Sequence, residues 1–361
     1  MSAKVLLYFL TLIFLTFLVT FLLKIKSKCD LLKTSDKDVV YLELQTFHNY
    51  IKQFNKTYSA QEYKESLDNF KASLEEIARL NALEKDAVFG LTKFSDMSAQ
   101  EFEEKMLMKR SSGNCVSYNS LCFETSYNAS LDSSTPLSKI EDKIDWREKG
   151  VIGPVQDQRH CKGCWAVGLA GVMESMANIK RKSNQVLSIQ EILDCLVDKN
   201  QDGCNGGNVA SSLVILCNEH QNVVTAERYP FTLKREKCKL RKKDKGVKLK
   251  SFVYRCIRQT SVRKSEENMQ RDLMNGPVTA VVNAAIWRFY LGGIIRRACV
   301  RSDSSSDHVI QVVGFDRTSE VPHYILKNSW GESFGDHGYV KIEMYKNMCG
   351  IAEEVGIIDV L

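Results

Sequence analysis

The chain has 361 residues, of which 44% are hydrophobic and 26% are charged. This composition is typical of a globular protein, and the length allows two or more domains. The chain has 50 lysines and arginines against 44 acidic residues, and the resulting net charge of +6 is too small to indicate a nucleic-acid-binding protein.

An uncharged run, Val5–Leu23, lies near the N-terminus and is followed by lysines at positions 24, 26 and 28. Its length fits both a cleaved signal peptide and a retained membrane anchor through residues 5–23, and we assign residues 1–28 to one of the two. The lysines after the run oppose translocation of the downstream chain. The cysteine pattern downstream requires an oxidising compartment, however, so we predict entry into the secretory pathway.

Apolar residues at helical spacing predict two amphipathic helices, separated by the polar segment Asn55–Ser59, within a module of about residues 44–100. The apolar positions of the two helices are Leu44, Phe47, Ile51 and Phe54, and then Tyr63, Leu67, Phe70, Leu74 and Ile77. Residues from about 101 to 143 are polar and rich in serine, without periodicity. We predict that they form a connector that is open to activating proteolysis. Asn55 and Asn128 lie in glycosylation sequons, which apply if the chain is lumenal.

The segment Gln158–Trp165 places two cysteines, Cys161 and Cys164, just before a run of small residues that favours a helix. A helix N-terminus stabilises a thiolate, because its unpaired N–H groups point at the charge. Cys164 is therefore a candidate nucleophile, and Gln158 could donate an N–H to the oxyanion that forms when a thiolate attacks a carbonyl. The same C-x-x-C spacing also fits half of a zinc site or a redox pair.

A nucleophilic thiol needs an imidazole to accept its proton, and the imidazole needs an acceptor that orients it. Only six histidines are present. His308 begins a β-branched run that predicts a buried strand. Asn328 ends a second such strand and is followed by Trp330. A zinc site would explain neither His308 nor Asn328, so these residues favour a thiol enzyme without a metal.

With Cys164, His308, Asn328 and Gln158 in these positions, the chain resembles the papain family of cysteine proteases. The resemblance implies an α+β, papain-like fold of two lobes, a helical left lobe with the nucleophile and a β-barrel-like right lobe with the base. It also implies a thiol-dependent endopeptidase that works through an acyl-enzyme, with no cofactor and no metal. The segments Trp287–Ile295, Val313–Thr318 and Cys349–Glu353 resemble the branch of this family that contains cathepsin O.

The helical module resembles the inhibitory propeptides of the same family. The matching positions are Glu62, Phe70, Ile77 and Asn81 in one motif, and Gly90, Phe94 and Asp96 in another. Residues 29–143 are therefore expected to be a propeptide that inhibits its own enzyme, with the helical module at about 44–100. Ile144–Arg147 resembles the start of a mature enzyme, so we expect the protease domain at 144–361.

The family resemblance also implies three disulfides: Cys161–Cys204, Cys195–Cys238 and Cys299–Cys349. The pairing of the other cysteines is left open. We expect Cys217 to be a small buried hydrophobe, with a Cys217–Cys256 bridge as the alternative. Cys115 and Cys122 could close a local loop. Cys29 is either an unpaired thiol or an acylation site.

The expected substrate-binding residues follow from the same resemblance. Gly206 and Gly207 would pair with the substrate backbone, since glycine allows close approach. The expected walls of an apolar S2 pocket are Asn208, Val209, Val281 and Val309. Trp330 would shield the His308–Asn328 bond from water or pack between the lobes.

The expected partners are protein or peptide substrates, the chain's own propeptide and cystatin-like inhibitors, with no nucleic acid. The segment Lys234–Lys250 has ten lysines and arginines against Glu236 and Asp244. It is either a solvated surface loop or a docking site for a polyanion such as a sulfated polysaccharide. We expect a monomer that is lysosomal or secreted through the endoplasmic reticulum. Two alternatives stay open: a catalytically impaired papain-like binding protein, and a helical inhibitor formed by residues 44–100.

Overall fold

The computed structural model describes residues 36–108, 116–122, 140–198, 203–220, 222–241, 243–256, 262–299 and 306–361. The predicted signal or anchor segment at residues 5–23, together with Cys29, Cys115 and Asn128, lies outside these ranges. Within them, no helix has both the length and the apolar content needed to cross a membrane. The chain divides into two compact units, Met1–Lys71 and Ala72–Leu361.

Seven α-helices occur in the described residues. They are Asp36–Gln53 (α1), Ala60–Leu83 (α2), Ala99–Met106 (α3), Cys164–Arg181 (α4), Ile189–Cys195 (α5), Val209–Ile215 (α6) and Val262–Leu273 (α7). Short 3₁₀ segments occur at Gly203–Asn205, Ala285–Phe289 and Met348–Gly350, and a π-helical turn, Leu216–His220, follows α6.

The first unit contains α1 and the N-terminal half of α2, as the helical periodicity predicts. A capping box begins α2: the Ser59 N–H donates to the Glu62 carboxylate over 2.7 Å, and the Glu62 N–H donates to the Ser59 hydroxyl over 3.3 Å. Phe47 and Phe70 are fully buried, and their ring centroids lie 5.1 Å apart. This aromatic contact joins α1 to α2, because each residue belongs to the apolar stripe of its helix.

Eleven strands form the sheet of the described residues. They are Ala87–Phe89 (β1), Tyr118–Leu121 (β2), Lys143–Asp145 (β3), Asn222–Val223 (β4), Val247–Cys256 (β5), Val278–Val282 (β6), Tyr290–Ile295 (β7), His308–Asp316 (β8), His323–Lys327 (β9), Tyr339–Glu343 (β10) and Glu354–Val360 (β11). Their order is β1-β7-β10-β9-β8-β6-β11-β5-β2, with β3 on β8 and β4 on β5. The helices and this sheet confirm the predicted α+β class.

Helix α4 is buried from Cys164 to Asn178 and packs against β8. Its small residues make this close packing possible. A Cβ at Gly168 would lie 2.8 Å from a methyl of Val309, and one at Gly171 would lie 2.9 Å from the side-chain oxygen of Gln311. The amide of Gln311 donates to the Gly171 carbonyl over 2.9 Å. The run of small residues after Cys164 therefore fixes the start of α4 against the start of β8.

The predicted connector contains more regular structure than its sequence indicates. Ser98 caps α3 by accepting from the Glu101 N–H over 3.0 Å, and Phe102 and Met106 bury one face of this helix. Strand β2 also falls in the connector and pairs antiparallel with β5. These elements form without a periodic sequence pattern because partners elsewhere in the chain stabilise them, and the role of the connector in activating proteolysis stays a prediction.

Four disulfides occur among the described cysteines: Cys161–Cys204, Cys195–Cys238, Cys299–Cys349 and Cys122–Cys217. Cys256 is disulfide-bonded as well. The bond between Cys122 and Cys217 excludes three interpretations: a free buried Cys217, a Cys217–Cys256 bridge and a local loop closed by Cys115 and Cys122. The pairing of β2 with β5 carries Cys122 to the π-helical turn that contains Cys217.

Candidate active site

Cys164 is the first residue of α4 and carries a free, fully buried thiol. The neighbouring cysteine is held elsewhere, because Cys161 is bonded to Cys204 and the Lys162 N–H donates to the Cys204 carbonyl over 2.8 Å. The N-cap residue, Gly163, offers no side-chain cap. The Cys164 thiol therefore lies at the end of α4 where the backbone N–H groups are free of helical partners, and Cys161 is not available to form a disulfide with it.

His308 begins β8 and is fully buried. Its Nε2 lies 2.7 Å from the side-chain oxygen of Asn328, which also accepts from the Ser329 N–H over 2.8 Å. Because this oxygen is an acceptor, Nε2 of the neutral imidazole must carry the hydrogen. Nδ1 is then unprotonated, and it has no hydrogen-bond partner. The imidazole is therefore set to accept a proton at Nδ1.

The backbone of Val309, the residue after His308 on β8, forms a hydrogen bond with the Cys164 thiol. Burial raises the pKa of Cys164 to about 12, although hydrogen bonds from the backbone of Val309 and Trp165 oppose this shift. Burial also lowers the pKa of His308 to about 4, against the hydrogen bond with Asn328. In this buried site the neutral thiol and the neutral imidazole are favoured over the thiolate–imidazolium pair that is expected for a working cysteine protease.

Trp330 covers the His308–Asn328 pair. Its ring centroid lies 4.9 Å from that of His308, and the indole is fully buried. Phe94 and Phe102 contact the indole edge-on, at centroid distances of 5.5 Å and 5.4 Å. Trp330 therefore lies where it can shield the His308–Asn328 hydrogen bond from water, and it also packs against Phe94 and Phe102.

Gln158 is fully buried, and both ends of its side-chain amide are hydrogen-bonded. Its nitrogen donates to the carbonyl oxygen of Met106 over 2.9 Å, and its oxygen accepts from the Ser329 hydroxyl over 2.6 Å. A backbone carbonyl therefore sits against the N–H that was predicted to hold an oxyanion. The sequence did not indicate the role of Ser329, because only the fold places its hydroxyl beside Gln158.

The residues that follow Met106, up to Met108, also lie in the candidate active site. The Met108 N–H donates to the Asp307 carbonyl over 2.8 Å, and a Cβ at Gly206 would lie 3.5 Å from Cβ of Met108. Met108 also packs against the apolar cluster that contains Val209, Val281 and Val309. Met106–Met108 thus contacts several of the residues predicted to bind substrate. The sequence did not indicate that this segment lies in the site.

The remaining predicted substrate-binding residues lie close by but have other contacts. Gly207 packs against Trp165, since a Cβ there would lie 2.3 Å from the indole. Asn208 is the N-cap of α6, and its side-chain oxygen accepts from the Ser211 N–H over 3.0 Å. This hydrogen bond fixes the position of the Asn208 side-chain oxygen. The expected role of Asn208 as a wall of the S2 pocket stays a prediction.

Comparison with known proteins adds two family matches. The papain family cysteine protease profile matches residues 140–358, and the cathepsin propeptide inhibitor domain (I29) profile matches residues 47–102. Cathepsin O from Mus musculus is 33% identical over 274 residues, covering 75% of this chain and 82% of that protein. Cathepsin O from Homo sapiens is 32% identical over 295 residues, covering 80% and 86%.

Solved structures of precursors share the fold. A stem bromelain precursor superposes with a TM-score of 0.72 at 23% identity, covering 88% of this chain and 98% of that one. A digestive procathepsin L 3 from the larval midgut of Tenebrio molitor gives 0.70 at 24% identity, covering 88% and 99%. The family profile and the two cathepsin O relatives agree with the family and the branch that the sequence motifs indicated, and the solved structures agree with the fold.

Proposed function

Because this chain belongs to the papain family of cysteine proteases, we propose that Cys164 and His308 perform its endopeptidase reaction once Met106–Met108 has left the cleft. The chain is a cysteine endopeptidase made as a zymogen with its own inhibitory propeptide. The observation that carries the assignment is the imidazole of His308, which is oriented through Nε2 and unpartnered at Nδ1, on the strand that contacts the Cys164 thiol.

The proposed reaction begins with transfer of the Cys164 proton to Nδ1 of His308. The sulfur then attacks the carbonyl carbon of the scissile peptide bond, and the side-chain amide of Gln158 and the Cys164 N–H stabilise the oxyanion. The imidazolium gives its proton to the leaving amine, and the carbonyl re-forms as a thioester. Water hydrolyses the thioester, with His308 as the base, and restores the thiol.

Removal of the covering segment is expected to change the protonation of the pair. Burial is the largest cause of both pKa shifts in the covered form. Once water reaches the cleft, the pKa of Cys164 falls and that of His308 rises, so the thiolate–imidazolium form becomes accessible. The propeptide thus inhibits in two ways, by occupying the cleft and by desolvating its reactive groups.

The cellular setting follows from the disulfides. Bridges such as Cys161–Cys204 and Cys299–Cys349 require an oxidising compartment, so we place the enzyme in the secretory pathway, in the lysosome or outside the cell. Asn55 is exposed and is therefore open to glycosylation. We assign substrate contacts to Gly206 and Gly207 and an apolar S2 pocket to Val209, Val281 and Val309, and we keep Asn208 as a further wall.

The basic segment Lys234–Lys250 is partly neutralised by its own acidic residues. Glu236 pairs with Lys234 and Lys239, and Asp244 pairs with Arg228 and Arg241. Several further cations in the segment are exposed, namely Lys237, Lys243, Lys245 and Lys248. This surface supports weak, salt-sensitive docking of a polyanion as a proposed additional interaction.

Labelling with an epoxysuccinyl inhibitor tests the assignment of the nucleophile. Acid-activated enzyme should take up one label per molecule and hydrolyse Phe-Arg or Leu-Arg peptide substrates, whereas Cys164→Ala should do neither. The described cysteines other than Cys164 are disulfide-bonded, so labelling elsewhere would contradict the assignment. A folded enzyme that neither labels nor cleaves would instead support the catalytically impaired binding protein.

A further inference from the structure

Strand β2 lies on the edge of the sheet, although the sequence places it in the propeptide. Its four residues pair antiparallel with β5, in the register Tyr118–Tyr254, Asn119–Val253, Ser120–Phe252 and Leu121–Ser251. The expected start of the mature domain, Ile144, comes later in the chain. If the whole of residues 29–143 were removed on activation, this strand would be lost and the stretch Ser251–Tyr254 of β5 would lose its partner on that edge.

Backbone contacts continue beyond both ends of the strand. The Ser117 hydroxyl accepts from the Cys256 N–H over 2.9 Å and donates to the Cys256 carbonyl over 3.3 Å. At the other end, the Cys122 N–H donates to the Lys250 carbonyl over 3.1 Å. The whole of Ser117–Cys122 is therefore hydrogen-bonded to β5, and its removal would expose backbone groups of an edge strand to water or to other chains.

A disulfide fixes the same segment covalently. Cys122 is bonded to Cys217, which is buried in the π-helical turn after α6. The Cys217 sulfur also lies 3.6 Å from the Ser120 hydroxyl. Hydrolysis of a peptide bond does not touch a disulfide, so a cut on the C-terminal side of Cys122 leaves this residue attached to the protease domain.

The tethered segment follows a path away from the nucleophile. Met108 lies at Asp307 in the cleft, whereas β2 ends beside Lys250. Lys250 forms an ion pair with Asp359, and Asp359 also pairs with Lys180. Lys180 is in the last turn of α4, and Cys164 is the first residue of that 18-residue helix. The helix is about 27 Å long at 1.5 Å per residue, so the Cys122 end of β2 lies toward the end of α4 opposite the thiol.

We infer that Val116–Cys122 is a permanent strand of the active protease and not part of the inhibitor that is removed. Release of the inhibitor then requires a cut between Met108 and Val116. Where the chain is also cut between Cys122 and Ile144, the active enzyme consists of two chains that the Cys122–Cys217 disulfide joins. The inhibitory residues Met106–Met108 and the retained strand are separate parts of the propeptide, one inside the cleft and one outside it.

Intact mass measurement tests the tether without relying on activity. A recognition sequence for a site-specific endoprotease is inserted after residue 130 in full-length Cys164→Ala protein, and the purified protein is cut there. Under denaturing conditions without reductant, the two fragments should remain one species of the uncut mass plus one water. Dithiothreitol should separate them. Because Cys256 is also disulfide-bonded, protein that carries only Cys256→Ser should likewise remain one species, whereas adding Cys122→Ser and Cys217→Ser to it should let the fragments separate without reductant.

A peptide map of the naturally activated enzyme tests retention of the strand. Digestion without reductant should yield a disulfide-linked pair of peptides that contain Cys122 and Cys217. Active enzyme that lacks residues 116–122, with a Cys217 thiol that can be alkylated, would overturn the inference. The double serine variant should also unfold at a temperature about 5–10 °C lower. If that variant fails to fold, the wild-type peptide map alone still decides, and it does so whichever residue proves to be the nucleophile.

Discussion

The side-chain amide of Gln158 donates to the backbone carbonyl of Met106 over 2.9 Å. A substrate carbonyl that became an oxyanion would need the same N–H. In the proposed mechanism, inhibition and catalysis would therefore use one hydrogen-bond donor, and the propeptide would have to leave before that donor could act. The Ser329 hydroxyl holds the other end of this amide over 2.6 Å, so the donor keeps its orientation when Met106 departs.

Removal of the Gln158 amide should slow catalysis far more than it weakens substrate binding. We expect Gln158→Ala to lower the kcat of the processed enzyme by about 10²–10³-fold with little change in KM, because the oxyanion forms only on the way to the transition state. Steady-state kinetics with a Phe-Arg peptide measure both constants. Gln156→Ala is the matched control, since the half-buried Gln156 side chain hydrogen-bonds only to the Pro154 carbonyl. Equal losses in the two variants would contradict the role of Gln158.

Ser329 should act only through Gln158. We expect Ser329→Ala to lower kcat about 5–10-fold, because loss of one hydrogen bond lets the amide rotate away from the oxyanion. A double-mutant cycle separates this from general damage to the fold. In the Gln158→Ala background, Ser329→Ala should cost nothing further in kcat. A second, independent loss would mean that Ser329 supports the site in some other way.

Thiol reactivity should report the state of the cleft. In the covered form, with the pKa of Cys164 at about 12 and that of His308 at about 4, almost no thiolate exists at neutral pH. After processing, the thiolate should persist well below the ordinary thiol pKa of about 8.5. We therefore expect iodoacetamide to modify the zymogen at least ~10³-fold more slowly than the processed enzyme at pH 7. Mass spectrometry across pH 5–10 measures both rates, with Cys164→Ala as the background.

Glu84 should be a major anchor of the propeptide. Its carboxylate, which is 5% exposed, accepts N–H bonds from Arg296, Arg297 and Ala298 over 2.6–3.2 Å. Hydrogen bonds to a buried charge contribute about 1.5–3 kcal/mol each. We expect Glu84→Ala to speed epoxysuccinyl labelling of Cys164 in the full-length zymogen by about 10–100-fold, because the cleft opens more often.

Asp86 provides the comparison for Glu84. It forms an ion pair with Arg296, and both side chains are about one-third exposed. Surface ion pairs of this kind contribute little, so Asp86→Ala should change the labelling rate less than about threefold. If the Asp86 and Glu84 variants sped labelling equally, general loss of charge would explain the effect, and the three backbone hydrogen bonds would not.

The comparison of sequence and structure separates two kinds of residue. The candidate site residues were predicted from sequence because each proposed role needs a particular chemical group in a recognisable setting. Cys164 starts a helix, His308 and Asn328 lie at the start and just past the end of strands, and Gln158 lies in the loop before the helix. Helical spacing likewise placed Phe47 and Phe70 on the apolar faces of their helices, and the structure adds the contact between them. Helix α3 was missed although Ser98 and the Phe102–Met106 spacing were visible signals for it.

The contacts that the sequence did not indicate depend on distant parts of the chain. The Cys122–Cys217 bond spans 95 residues and depends on β2 pairing with β5, for which a four-residue strand gives no pattern. The position of Met106 against Gln158 likewise depends on how α3 packs on Trp330. Spacing along the chain cannot supply such relationships, because they arise only once the sheet has formed.

The protease domain should be more stable in acid than at neutral pH. Burial raises the pKa of Glu174 and of Glu191 from 4.5 to about 7. Between these values the folded state holds protons that the unfolded state has released, so stability is full below pH 4.5 and is lost as the pH rises to about 7. Each group can account for about 3 kcal/mol. His308 acts in the opposite direction below about pH 6.5, because its pKa is lowered to about 4 in the folded state, but the two carboxyls together outweigh this one imidazole. Lys327, whose pKa is also lowered by burial, opposes the carboxyls in the same way.

Glu191→Gln isolates one of these two groups. In the wild-type protein the Glu191 carboxylate accepts a hydrogen bond from the Val224 N–H over 2.6 Å. The amide oxygen of glutamine can still accept this bond. Denaturant unfolding of full-length Cys164→Ala protein at pH 5 and pH 8 should show a clear loss of stability at the higher pH. The added Glu191→Gln substitution should shrink that difference by about 3 kcal/mol, since an amide does not titrate. Glu219→Gln, at an exposed position, should leave the difference unchanged. A pH dependence that Glu191→Gln does not alter would mean that this carboxyl is already ionised in the folded protein at pH 5.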